Sequence, residues 1–322
     1  MRSTTRLAMM TPVKPGLIRQ ELDAASPCQE QEFVKCLLCE GDQGDLYIRV
    51  PGAFPIVRCP NDGLLYMNPR PKAQATRKFH TRFVRENNLN MFDVRRRKVL
   101  QREASIIKSL KAGGRLLDVG CATGTFFETF IGSDWQLYGV DTSPIGVQTA
   151  RERYGAEISC GTLHEACYPA KFFEVVTVLD TIYYSPDPKA DLLEIHRILK
   201  DDGLLAVEIP GLWYRLLRDK GLLCWLLDRL WVRGFRGMQF YYFSPVTIRL
   251  LLESTGFRVL RMMPEQASLG RRGVAELLNE AHFQLAKLLF RTTASRFSIA
   301  GKEFYLARKK SLARELPPAA ET

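Results

Sequence analysis

The sequence predicts an α/β chain built on a parallel sheet with helices on both faces. Three observations carry that prediction. From about residue 114 onward, short apolar runs alternate with helix-periodic segments in a βαβαβαβ order. The strand-like runs, such as "FFEVVTVLD" and "LLAVEIP", are apolar on both faces, as strands covered from both sides must be. The first run ends in a glycine-bearing turn, "RLLDVGCATG", of the kind that lets a backbone approach a ligand closely.

Each element follows from its own residues. Residues 1–32 lack periodicity and are expected to be a disordered arm. Residues 33–70 form a small module rich in Gly, Pro and Cys, with strand-like pieces "DLYIRV" and "FPIVRCP". A helical pattern covers 73 to 111, carried by Phe79, Phe83, Val99, Leu100, Ile107 and Leu110, and "KAGG" stops it. Then come a strand "RLLDVG", a helix "TFFETFIGSD" and a strand "QLYGVD". Next is a helix "SPIGVQTARERYG", with Ser143 as cap and Pro144 at its first position. "EISCG" and "FFEVVTVLD" are strands, "KADLLEIHRILKDDG" is a helix ending at Gly203, and "LLAVEIP" is a buried strand. Residues 211–243 hold an apolar helical insertion. A helix capped by Ser244, a strand "RVLRMMP", a long helix and a strand "KEFYLARKK" follow, and 311–322 are expected to be a disordered tail.

At 322 residues the chain can bury a sizeable core. Its net charge of +11 is concentrated between Arg70 and Arg102. That run suits phosphate, nucleic acid or an anionic membrane surface, and it equally suits a solvated helix face. Eight cysteines are too few for a disulfide scaffold of this length. No apolar run reaches the ~20 residues of a spanning helix, and the first residues do not read as a signal peptide. A cytoplasmic protein is therefore expected.

The glycine turn departs from the dinucleotide pattern G-x-G-x-x-G: its glycines are Gly120 and Gly124, and Asp118 precedes the first. Asp141 ends the next strand about 20 residues later, where an acid can accept two ribose hydroxyls. Together "LLDVGCATG", "GVDTS", "FFEVVTVLDTIYYSPDP", "HRILKDDGLLAVEIPG" and "YYFSPVTIRLLLESTGFRV" resemble the class I S-adenosylmethionine-dependent methyltransferases, across about residues 73–310. The resemblance implies a Rossmann-like, doubly wound, seven-stranded, mostly parallel sheet whose last strand is antiparallel. It implies S-adenosylmethionine as cofactor. By that likeness, Asp118, Gly120, Cys121 and Gly124 lie against the methionine part of the cofactor. Asp141, with Thr142 beside it, holds the ribose. Thr162 and Leu163 stand near the adenine, where the family's usual acid is absent.

The resemblance also places Asp180 at the methyl-transfer site. Where relatives carry histidines, this chain has Tyr183 and Tyr184, and later Gln239. Asp180, Tyr183 and Tyr184 are thus the catalytic candidates, orienting the acceptor and assisting proton removal. Two alternatives stand beside this: an acceptor that needs no strong base, and tyrosines that only pack a wall. His164 and His196 read as ordinary polar residues.

Ahead of the main domain, "CLLC" supplies Cys36 and Cys39, and "RCPND" supplies Cys59 and Asp62. Two turns giving two ligands each make a zinc ribbon, here with Asp as the fourth ligand. The competing reading is a ribbon that persists by packing without metal. The "GLLYMNPRP" that follows resembles the joint between such ribbons and methyltransferase domains, whose bacterial members are associated with surface-glycan synthesis.

The expected activity is methyl transfer to an oxygen of a small-molecule, sugar or lipid-linked acceptor. The aromatic-rich insertion would serve as an acceptor lid, as a peripheral membrane contact, or as a plain helical cap. An RNA or protein methyltransferase is the alternative enzyme. A non-catalytic cofactor-binding scaffold is the alternative of another class. Nucleic acid is the weaker partner, because the basic residues are not interleaved with stacking aromatics.

Overall fold

The computed structural model describes residues 31–49, 54–72, 94–220, 239–266, 274–294 and 297–310. The expected arm over 1–30, the tail over 311–322, the helical pattern over 73–93 and the middle of the insertion over 221–238 lie outside the described residues.

The N-terminal module contributes β1 (Gln31–Glu32), β2 (Asp45–Ile48), β3 (Ile56–Arg58), β4 (Leu65–Met67) and β5 (Arg70–Pro71). Gln31 and Glu32 were expected in the disordered arm, but they pair antiparallel with Pro71 and Arg70. After it come α1 (Val94–Leu110), β6 (Gly114–Val119), β7 (Trp135–Asp141), α2 (Pro144–Tyr154), β8 (Glu157–Cys160) and β9 (Phe173–Leu179). Then follow α3 (Pro188–Ile198), β10 (Leu199–Pro210), α4 (Leu212–Lys220), β11 (Tyr241–Tyr242), α5 (Pro245–Ser254), β12 (Phe257–Glu265), α6 (Val274–Thr292) and β13 (Lys302–Lys309).

Among the described residues, seven strands form one sheet in the order β12-β13-β10-β9-β6-β7-β8. β9 pairs in parallel with β6 and with β10, and β7 with β6 and β8. β13 alone runs against its neighbours, β10 and β12, which is the antiparallel ending that the family resemblance implies. Alternate residues of the strands feed opposite faces. Leu116, Val175, Leu204 and Ala206 meet α1 and the phenylalanines after Gly124. Leu117, Val176, Leu205 and Val207 meet α3 and α5. Each fully buried Leu, Ile or Val contributes about 1.5–3 kcal/mol.

The caps form as the sequence predicts. Ser143 accepts from the Gly146 N–H at the start of α2, and Ser244 and Thr247 make a reciprocal capping box on α5. Two boundaries differ. "TFFETFIGSD" is not an α-helix: Thr125–Phe130 is a 3-10 segment, with Thr125, Phe126, Phe127 and Phe130 buried. α3 stops at Ile198, not at Gly203. Leu199 is fully buried and pairs with Phe173 as the first residue of β10, while Asp201 and Asp202 turn outward to Lys171 and Lys111.

The insertion is also not helical throughout. Tyr241 and Tyr242 pair with Tyr66 and Leu65, so β11 completes a four-stranded sheet, β11-β4-β3-β2, with the N-terminal module. Arg70 reinforces this joint. Its guanidinium donates to Glu32 at 2.8 Å, to the Tyr241 hydroxyl at 3.0 Å and to the Pro186 carbonyl at 2.8 Å. No helix among the described residues is long and apolar enough to cross a membrane.

Candidate active site

The site lies outside the carboxyl ends of the parallel strands, where open α/β sheets bind ligands. β6 is followed by Gly120 at φ 76°, whose N–H donates to the Val140 carbonyl of β7 at 2.7 Å. A side chain at Gly120 would meet Thr181, which follows β9, so the first and fourth strand ends touch here. Gly124 lets the turn settle against Ala150 and Tyr154 of α2.

Asp141 closes the turn from the other side. One carboxylate oxygen accepts from the Ala122 N–H and the other from the Ser143 N–H, each at 2.8 Å. Each oxygen keeps a lone pair, so the carboxylate is aimed and can still receive two ligand hydroxyls. Burial raises its pKa, and the two backbone donors oppose that rise. Thr142, beside it, is half-buried.

The other predicted cofactor residues divide. Asp118 is buried beneath the turn and accepts from Thr177 at 2.7 Å; burial lifts its pKa to about 7. It supports the loop from below. Cys121 packs its thiol against Gly139 in the interior, so only its backbone faces the turn. Leu163 is buried in the core beside Val140, and Thr162 makes a reciprocal turn with Glu165. At these two positions the backbone is the available contact.

β9 ends in Asp180, at φ 58°, whose N–H donates to the Glu208 carbonyl at 3.0 Å. Its carboxylate is surrounded by donors: the Lys302 ammonium, the Arg96 guanidinium at 3.5 Å and the Tyr183 hydroxyl at 3.1 Å. Burial works to raise its pKa, but Lys302 and then Arg96 outweigh it and hold it at about 2. Tyr183 moves the other way: burial, then the Asp180 charge, pushes it well above the ordinary phenol range. Neither group takes a proton near neutral pH, so the expectation that they assist its removal is not supported. Tyr184 stacks at a tilt on Tyr183, with ring centroids 4.5 Å apart.

Sequence reasoning missed the charges behind Asp180. Glu208, fully buried on β10, accepts from Arg96 at 2.5 and 2.7 Å and lies 3.2 Å from Lys302. Glu103 on α1 is buried with both oxygens unpartnered among the described residues, and burial drives its pKa far up. One signal was present: a glutamate inside the apolar run "LLAVEIP" needs a cation.

Beside Tyr183 opens a narrow cleft, lined among others by Ile209, Leu212, Arg215, Gln239 and Tyr241. Gln239 is therefore at the site. His164 pairs with Asp191 at 3.1 Å, and His196 packs on Phe257; neither lines this cleft.

Residues 90–262 match the family described as "Methyltransferase domain". The chain belongs to this methyltransferase family. Its seven-stranded sheet, with β13 alone antiparallel, is the one that the class I methyltransferase resemblance implies. It is 30% identical over 106 residues to the 27-O-demethylrifamycin SV methyltransferase of Amycolatopsis mediterranei (strain S699), covering 30% of this chain and 39% of that one. It is 29% identical over 112 residues to a ubiquinone biosynthesis O-methyltransferase of Bradyrhizobium sp. (strain ORS 278), covering 33% and 44%. The match thus spans less than half the length of each of these two relatives. A solved SAM-dependent methyltransferase of Thermotoga maritima, a possible histamine N-methyltransferase, aligns with a TM-score of 0.46 at 20% identity, over 72% of this chain and 99% of that one.

The residues present fit the methyltransferase cofactor. Gly120 leaves the turn without a side chain, and Asp141 is fixed with two lone pairs outward. Asp141 would hold the ribose hydroxyls, and the Gly120–Gly124 backbone would lie against the methionine part.

Proposed function

We propose that this methyltransferase acts on an oxygen of a small-molecule acceptor. The observation that carries the reading is the juxtaposition of two half-sites: the Gly120–Asp141 cradle touches Thr181, and two residues on, Tyr183 lines the acceptor cleft. S-adenosylmethionine, when bound, supplies an already activated methyl group, so the chain's task is to place a nucleophile in line and exclude water. Tyr183, held by Asp180, and Tyr241 form a rigid wall for that placement. Lys302 and Arg96 hold Asp180 ionised and burial holds the Tyr183 hydroxyl protonated, so the reading favours an acceptor oxygen that is acidic in itself. The O-methyltransferase names of the relatives support oxygen as the atom methylated.

A sugar or lipid-linked acceptor falls within this proposal, with only its reacting end in so small a cleft. So do a cytoplasmic location and peripheral contact with a membrane. Nucleic acid is disfavoured. Of the basic run, Arg96 and Arg102 are paired to the buried carboxylates of Glu208 and Glu265, and Arg70 to the half-buried Glu32.

Calorimetric titration of the purified protein with S-adenosylmethionine is expected to show micromolar binding. Asp141→Ala should weaken it at least a hundredfold, because it removes the ribose acceptors and frees the Ala122 N–H. Absence of binding by folded wild-type protein would overturn the proposal.

The N-terminal module is proposed to hold structural zinc. The ligand atoms of Cys36, Cys39, Cys59 and Asp62 all lie within 4.8 Å of one another. Two backbone turns present them: the Cys36 N–H donates to Gly41 and the Cys59 N–H to Leu64. A tetrahedral ion with Zn–S near 2.3 Å needs ligand separations of about 3.8 Å; the Cys39–Cys59 sulfur separation of 3.5 Å and the Cys36–Asp62 distance of 3.1 Å suit it. Purified protein should carry close to one zinc per chain by elemental analysis. Cys59→Ser should release it, and Asp62→Cys should tighten it. Metal content unaffected by Cys59→Ser would refute the site.

A further inference from the structure

We infer that Arg215 reads a carboxylate on the acceptor, so that the acceptor class is an aromatic acid. The inference rests on the cleft being the acceptor site, as proposed above.

The cleft's walls are aromatic: Tyr183, Tyr241, Tyr242 and Phe243 line it, with Ile209 and Leu212. Flat aromatic walls favour a flat ligand ring laid against them. Among the described lining residues, one is a cation. Arg215, half-buried on the first turn of α4, donates to the Gln239 side-chain oxygen and lies 6.0 Å from the Tyr242 ring centre.

Its partner is what sets it apart. The other cations around the site each hold a carboxylate: Arg70 holds Glu32, Arg96 holds Glu208, and Lys302 holds Asp180. Among the described residues, Arg215 has no carboxylate partner. It holds a neutral amide instead. A planar carboxylate satisfies the fork of donors on a partly desolvated guanidinium better than an amide oxygen does.

Gln239 completes the device. It is buried at 7% exposure, with its amide nitrogen 3.5 Å from the Tyr184 hydroxyl. It thereby keeps its oxygen turned to Arg215 and holds the guanidinium at the cleft until a ligand acid arrives. The acid end of the ligand then lies at Arg215, and its reacting oxygen lies toward Tyr183 and Asp180.

The test uses the full-length protein saturated with S-adenosylhomocysteine. It is titrated calorimetrically with two matched pairs: 4-hydroxybenzoate and its amide, and 6-hydroxy-2-naphthoate and its amide. At least one acid should bind tenfold or more tightly than its amide. Arg215→Gln should bring that ratio close to one, and Arg215→Lys should keep an intermediate preference. Equal binding of acid and amide, a preference that survives Arg215→Gln, or no binding of any of the four would overturn the inference. Retained S-adenosylhomocysteine binding in those cases leaves the methyltransferase proposal standing. Failure of S-adenosylhomocysteine itself to bind would overturn both.

Discussion

Glu208→Ala is expected to destabilise the protein by about 3–5 kcal/mol, which lowers Tm by roughly 6–20 °C for a domain of this size. The cause is charge balance in a dry place. Arg96 and Lys302 face Glu208 and Asp180, two cations against two anions. Glu208 is fully buried and binds both cations. Without it, one positive charge has no counter-charge, and its desolvation cost exceeds the modest packing loss of the side chain. Arg96→Met alone should also be costly, because it leaves an anion in excess. The double variant restores balance, with Lys302 on Asp180. Its cost should therefore be less than the sum of the two single costs by about 0.5–3 kcal/mol. Thermal or urea unfolding of the three variants decides the matter, and strict additivity would refute the balance argument.

This cluster shows where sequence reading stops. Arg96 and Glu208 are 112 positions apart, and Lys302 is 94 beyond Glu208. No local period links them, and only the sheet order brings them together. The run "FFEVVTVLD", by contrast, announces a buried strand on its own, since nothing else keeps so many β-branched residues dry. The Ser143–Pro144 and Ser244–Pro245 pairs mark helix starts because capping is local chemistry. The glycine turn and Asp141 were legible for a similar reason: a fixed spacing reflects one strand-turn-helix unit followed by the next strand. Two-residue β11 carries no period at all, so its pairing with Tyr66 and Leu65 could not be read. The end of α3 was misplaced because "LKDDG" suits a helix end locally, whereas the burial of Leu199 against β9 is a tertiary demand. Asp180 was correctly placed at the strand end. Its chemistry was not, since its low pKa comes from distant Lys302 and Arg96.

Gly120→Ala should abolish measurable cofactor binding and cost about 2–5 kcal/mol of stability, from two separable sources. The first is backbone conformation: φ is 76°, and a side chain in the left-handed region costs about 1–2 kcal/mol. The second is space. An added Cβ would lie 2.4 Å from both Cγ2 and Oγ1 of Thr181, an overpacking worth about 1–3 kcal/mol. Thr181 is not free to retreat. Its hydroxyl donates to the Leu179 carbonyl at 3.1 Å, and its carbonyl accepts the Tyr184 N–H at 2.9 Å. Moving it displaces Asp180 on one side and the Tyr183–Tyr184 wall on the other, so the damage reaches both half-sites. Gly132→Ala isolates the first source, because Gly132 has φ 73° and nothing within 4 Å of its would-be Cβ. Gly120→Ala/Thr181→Gly isolates the second, because every close atom belongs to the Thr181 side chain. The expected order of stability by chemical denaturation is Gly132→Ala above Gly120→Ala, with the double variant regaining cofactor affinity that the single variant lost. If Gly120→Ala is no worse than Gly132→Ala and still binds cofactor, the contact between the two strand ends does not organise the site.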